Sequence, residues 1–203
     1  MSTPDPGFKP LPLSTLSPQT GYLRPFFSVA KAVGIASSAL EVMTDLNFVQ
    51  AAAAAVNIDV ETATQKMISR GVRSLLVTDP AGDVVGIVTS RDLIGPRPHQ
   101  VMLRRNISFA EVMVQDIMTP AADIEVIPIE AVLHARVGDV VMTLKNSGRQ
   151  HALVVEEDSS NGKPMIRGIF SASQIARQLG IVLQQHELSQ TFAQIDQAVK
   201  DRS

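Results

Sequence analysis

The residues best placed to do chemistry lie in one stretch, Gly86-Ile87-Val88-Thr89-Ser90-Arg91-Asp92-Leu93. The β-branched run Ile87-Val88-Thr89 favours a strand. Thr89 or Ser90 can cap a helix that follows, and Asp92 in its first turn suits the positive end of the helix dipole. A hydroxyl, a carboxylate and free backbone N–H groups gathered at one point could hold a sugar and a phosphate. Taken alone, however, the stretch reads first as a capped helix start.

Other chemistries find little support. With no cysteine in 203 residues, disulfides, thiol catalysis and cysteine-held zinc are excluded. The four histidines, His99, His134, His151 and His186, are scattered without ligand spacing, so no metal site is expected. No nucleophile elbow, phosphate-cradling glycine loop or H-E-x-x-H occurs, and no catalytic set is expected. The carboxylates of Glu156-Glu157-Asp158 read as a solvated turn. A formal net charge of −2 offers no electrostatic case for nucleic acid. There is no apolar run of the roughly 20 residues that span a bilayer and no signal-peptide layout, so a soluble, cytoplasmic protein is expected.

The elements that must position Thr89 and Asp92 follow from hydrophobic spacing. Residues 1–36 are rich in proline and read as an irregular arm, with a short apolar helix near Phe26 to Ile35. A short helix or turn ends near Thr44, and a strand, or a strand and a loop, follows over Phe48-Val49 and the alanine run 51–56. Asp59 caps a predicted helix with Val60, Ala63, Met67 and Ile68 as its buried stripe and Gly71 as its stop. Val72 to Val77 and Val84 to Thr89 are expected as the arms of a hairpin around Asp79-Pro80-Ala81-Gly82-Asp83. Helix resumes after Thr89 and is expected to stop at Gly95-Pro96. Residues 97–113 are a connecting segment, helical in the second half.

The sequence then repeats itself. Ile117-Met118-Thr119 echoes Val42-Met43-Thr44, and Val137, Val140, Val141, Leu144 and Gly148 echo Val60, Ala63, Thr64, Met67 and Gly71. Gly168-Ile169-Phe170-Ser171 echoes Gly86-Ile87-Val88-Thr89. Gly148 follows Gly71 by 77 residues and Gly168 follows Gly86 by 82, so the second hairpin turn is five residues longer. A surface turn tolerates such an insertion, and each copy of a repeat needs its neighbour to bury its apolar face.

Two copies of strand–helix–strand–strand–helix, each led in by an M-T segment and closed by a glycine, two apolar residues and a hydroxyl, resemble a tandem pair of cystathionine β-synthase (CBS) domains, a Bateman module. The full closing pattern, with its aspartate, is in the first copy only. The resemblance covers about residues 37–180. It implies an α+β fold with CBS domain 1 at 37–96 and CBS domain 2 at 114–180, packed about a pseudo-twofold axis. Outside it lie the arm and an expected amphipathic helix over 181–203, carrying Ile181, Leu188, Phe192, Ile195 and Val199 on one face.

The resemblance also implies two clefts between the repeats that hold adenosine compounds: AMP, ADP, ATP or S-adenosylmethionine. Asp92 would then accept hydrogen bonds from ribose hydroxyls and Thr89 would touch ribose or the first phosphate. In the second copy Ser171 keeps the hydroxyl, but Gln174 replaces the aspartate, so that cleft is expected to be weaker, empty or differently selective. Arg73 and Arg91 are the candidate phosphate cations of the first copy, and Arg149 and His151 those of the second. The expected function is regulatory: no catalytic cofactor, an adenine nucleotide or S-adenosylmethionine as ligand, a homodimer, and a separate regulated protein. The alternative is a structural or interaction protein whose clefts bind nothing.

Overall fold

The computed structural model describes residues 33–181; all but the last four residues of the expected arm and nearly all of the expected C-terminal helix lie outside them. In the first half, strands β1 (Thr44–Asp45) and β2 (Ala53–Ala55) precede helix α1 (Val60–Arg70). Strands β3 (Ser74–Thr78) and β4 (Val84–Thr89) and the short helix α2 (Ser90–Ile94) follow. The connection holds α3 (Pro96–Arg105) and α4 (Val114–Ile117). The second half comprises β5 (Thr119–Pro120), β6 (Val126–Pro128), α5 (Ile129–His134), α6 (Val137–Ser147), β7 (His151–Glu157), β8 (Pro164–Ser171) and α7 (Ala172–Gln178). No helix among the described residues is long and apolar enough to cross a membrane.

Local chemistry sets the matching helices. The Asp59 carboxylate accepts from the Thr62 amide at 2.7 Å and starts α1. Val60, Ala63 and Met67 are buried along it, whereas Ile68, expected in that stripe, is largely exposed. Its position one residue past Met67 turns it out of the buried face. Gly71 and Gly148 end α1 and α6 in the left-handed region at φ 63° and 64°, which a side chain would resist.

Three sequence expectations are corrected. Pro96 does not merely stop α2 but opens α3, because proline at a first helical position gives up an N–H that has no partner anyway. The helix of the connecting segment therefore falls in its first half and ends at Asn106, which has φ 52°. Glu156 and Glu157 belong to β7, and Glu156 pairs with Arg167 at 2.8 Å. In addition, α5 intervenes between β6 and α6, without a counterpart helix before α1.

Two four-stranded sheets result, ordered β2-β3-β4-β5 and β1-β8-β7-β6. The order shows that the lead-in segments are exchanged. Strand β1 pairs with β8 of the second half, Thr44 opposite Ile169 and Asp45 opposite Gly168. Strand β5 pairs with β4 of the first half, Thr119 opposite Ile87 and Pro120 opposite Gly86. The exchange extends into the cores, since Ala39, Val42 and Met43 pack with Val140, Leu144 and Phe170, and Val112, Val114 and Ile117 pack with Val60, Leu75 and Val88. Between the sheets, Leu76 and Ile87 of one meet Leu153 and Ile169 of the other.

The two repeated glycines are the contact points of this exchange. A Cβ on Gly86 would lie 2.6 Å from the Thr119 carbonyl oxygen and 2.8 Å from Met118 Sδ. A Cβ on Gly168 would lie 2.5 Å from Met43 Sδ. Each glycine thus admits the methionine of the other repeat's lead-in. Both hairpins also carry a register shift at the same place, skipping Val85 in one and Arg167 in the other. Arg167 reaches the Asp45 carboxylate, tying the longer hairpin to the exchanged strand.

Candidate functional site

Because the lead-ins cross, each cleft takes its walls from both repeats. The start of the last helix of one repeat faces the residues that follow the helix-stopping glycine of the other. The two clefts therefore sort the candidate residues differently from their order in the chain.

The smaller cleft, about 190 Å³, is lined by Thr89, Arg91 and Asp92 from the first repeat and by Gly148, Arg149 and His151 from the second. Thr89 caps α2, and its hydroxyl and amide both donate to Asp92 Oδ2, at 2.7 and 2.9 Å. Asp92 Oδ1 pairs with Arg97 of α3 at 2.8 Å, and the same guanidinium nitrogen donates to the Ile117 carbonyl at 2.8 Å. Both carboxylate oxygens are thus partnered within the chain, and only 12% of the Asp92 side chain is exposed. Arg149 is held as well, donating to the Asp123 carbonyl at 3.0 Å with Glu125 at 4.0 Å. A ribose reaching Asp92 must compete with Arg97.

The larger cleft, about 900 Å³, is lined by Ser171, Gln174 and Arg177 from the second repeat and by Arg70, Arg73 and Ser74 from the first. Arg73, grouped with Thr89 and Asp92 by position in the sequence, lines this cleft instead. Ser171 stands at the N-cap of α7 without a side-chain cap hydrogen bond; its hydroxyl shares a 3.1 Å hydrogen bond with that of Ser173. Gln174 is fixed by Thr44 of the exchanged strand, whose hydroxyl donates to Oε1 at 3.1 Å. Among the described residues, three arginines line this cavity and no carboxylate does. Arg70 and Arg177 drew no attention in the sequence, where each is one cation in the last turn of a helix.

His151 lies in the wall common to both clefts. Its Nδ1 is buried and has no hydrogen-bond partner among the described residues. Burial, reinforced by the field of Arg73 and opposed by that of Asp92, lowers its pKa to about 4, so the imidazole is neutral near pH 7. Among the described residues there is no group of three His, Asp or Glu side chains that could hold a metal ion.

The doubled α+β unit with exchanged lead-ins and paired clefts defines a class by its architecture, a two-repeat module with a cleft on either side of the repeat contact. Residues 39–96 match the family model described as CBS domain. Among solved structures, an uncharacterized conserved protein from Pyrococcus horikoshii is similar at a TM-score of 0.53 and 21% identity, over 76% of this chain and 100% of that one. A CBS-domain containing protein from Agrobacterium tumefaciens is similar at 0.51 and 20% identity, over 71% and 95%. The structure described as CBSX2 in complex with AMP matches at 0.49 and 22% identity, over 70% and 94%. No curated protein matches the sequence.

Proposed function

We propose that this chain is a regulatory module that binds an adenosine ligand between its two CBS repeats and thereby modulates a partner protein. The observation that carries the reading is the larger cleft, whose walls come from both repeats and whose volume of about 900 Å³ suits a ligand of nucleotide size. A ligand touching both walls favours one packing of the repeats over another, and it can shift that equilibrium only by its differential affinity for the two. Arg73, Ser171 and His151 are its proposed contacts there, and Thr89, Arg91 and Asp92 belong to the second, smaller cleft. The module acts without catalysis of its own, as a homodimer in the cytoplasm. The reading as a purely structural protein draws support from Asp92, whose oxygens are both engaged by Thr89 and Arg97.

A thermal-shift panel of AMP, ADP, ATP, NAD and S-adenosylmethionine separates the two readings. A ligand present at about 100 times its Kd should add roughly 2.7 kcal/mol to the apparent stability. No stabilisation by any of the five refutes the ligand-binding role and leaves the structural one.

A further inference from the structure

The two clefts share one plan but differ in charge. In the smaller, the lining includes two carboxylates, Asp92 and Glu125, beside Arg91 and Arg149. In the larger, Arg70, Arg73 and Arg177 are unmatched among the described residues, where no aspartate or glutamate lines the cleft. None of these three side chains has an ion pair or hydrogen bond among the described residues. The three stand on both walls, Arg70 and Arg73 around the Gly71 turn and Arg177 on α7. Cations gathered in a concave site focus a positive potential into it.

Two further observations point the same way. Where the smaller cleft has the Asp92 carboxylate, the larger has Gln174, uncharged and fixed by Thr44, so no carboxylate there repels an anion. In the shared wall, His151 lines this cleft and keeps a buried Nδ1 without a partner among the described residues, a polar atom that a modest side-chain rotation would offer to a ligand. A neutral imidazole protonated at that nitrogen can donate one hydrogen bond to a ligand oxygen. One bound polyanion would answer all three features at once.

We infer that the larger cleft takes a nucleoside polyphosphate, with its phosphates bridging Arg73 on one wall and Arg177 on the other, and discriminates against adenosyl ligands that carry no phosphate. The inference rests on the reading of this cleft as the ligand site and names the charge class of its occupant. The guanidinium fork matches phosphate oxygens two at a time. The sulfonium cation of S-adenosylmethionine meets repulsion in the same place.

Isothermal titration of the full chain with ATP, ADP, AMP, 5′-methylthioadenosine, S-adenosylmethionine, GTP and tripolyphosphate, at low and moderate salt, tests this. One charge-assisted contact is worth about tenfold or more in Kd, so affinity should rise at least tenfold from AMP to ATP and weaken with salt. S-adenosylmethionine should bind no more tightly than 5′-methylthioadenosine. Arg73→Ala should weaken ATP about tenfold or more, Arg73→Lys should restore part of the loss, and Arg104→Ala on α3 should leave binding unchanged. Circular dichroism of each variant confirms that it is folded.

Equal affinity for ATP, AMP and 5′-methylthioadenosine overturns the charge inference while leaving the adenosine reading intact. Equal affinity for ATP, GTP and tripolyphosphate supports the charge inference and refutes the adenosine reading. Binding of none refutes both, and ATP binding that Arg73→Ala does not weaken overturns the assignment of its phosphates to Arg73.

Discussion

The exchange of lead-in strands makes a sharp prediction about two glycines that look equivalent in the sequence. In Gly86→Ala the new methyl meets the Thr119 carbonyl oxygen at 2.6 Å and Met118 Sδ at 2.8 Å, where ordinary contact begins near 3.4 Å. The nearer atom is backbone, so relief requires β5 to move away from β4, at the two residue pairs that join them. Overpacking of this kind costs about 1–3 kcal/mol, and a weakened strand pairing adds about 1 kcal/mol per hydrogen bond lost. Against this, replacing glycine at an ordinary φ returns about 0.4–1 kcal/mol by restricting the unfolded chain. The expected net loss for Gly86→Ala is about 2–3 kcal/mol. In Gly168→Ala all three close atoms belong to the Met43 side chain, at 2.5, 2.8 and 3.1 Å. An unbranched thioether can re-route, so the expected loss is only about 1 kcal/mol or less. Urea unfolding should therefore give a lower midpoint for Gly86→Ala than for Gly168→Ala, with unchanged m-values. Combining each with a shortened methionine sharpens the test: Met43→Ala should offset part of the Gly168→Ala loss, whereas Met118→Ala should leave most of the Gly86→Ala loss. If Gly168→Ala proves equally destabilising, or Met118→Ala rescues Gly86→Ala, the contact with the exchanged backbone is not what these glycines serve.

Three further predictions concern the shared wall and the smaller cleft. His151 has a folded pKa of about 4, below its ordinary 6.5, so between these values the unfolded chain binds the extra proton and stability falls as pH falls. The full effect is roughly 3 kcal/mol; relative to wild type, His151→Gln should gain stability between pH 6.5 and 4, and parallel curves for the two proteins would sink the reasoning. At the smaller cleft, Asp92→Asn should cost about 1–2 kcal/mol through the weakened capping box and the lost Arg97 pair. Arg97→Ala frees Asp92 Oδ1, so titration with ATP should rise from one site per chain to two; unchanged stoichiometry means that Arg97 is not what closes this cleft.

Much of the architecture is legible in the chain itself, because it is written in local terms. Asp59 as a cap, Gly71 and Gly148 as stops, and the span Val84 to Thr89 as a strand depend on residues within a turn or two of one another. The repeat is visible because the same local solutions recur. Where local rules mislead, a neighbour in space has intervened, or one residue admits two roles: Pro96 can end a helix or begin one, and only the chain's path after Gly95 decides.

Which cation shares a cleft with which hydroxyl is a different matter. Arg73 lies 16 residues from Thr89 in the sequence yet lines the cleft of Ser171, and Arg149 lies near Ser171 in the sequence yet lines the cleft of Thr89. Nothing in the spacing of either arginine encodes this, since a strand's periodicity fixes which face is buried and leaves its partner open. The closing pattern of the first repeat likewise marks Asp92 as a carboxylate at a helix start. That Arg97, one helix further on, closes over it follows only from the packing of α3 against α2. The sequence alone determined the two repeats, their caps and glycines, and the residue types available to a ligand. Tertiary structure decided how those residues are grouped, because pairing the halves through crossed lead-ins joins each repeat's last helix to the other's glycine turn, and so leaves one cleft neutral and partnered and the other open and positive.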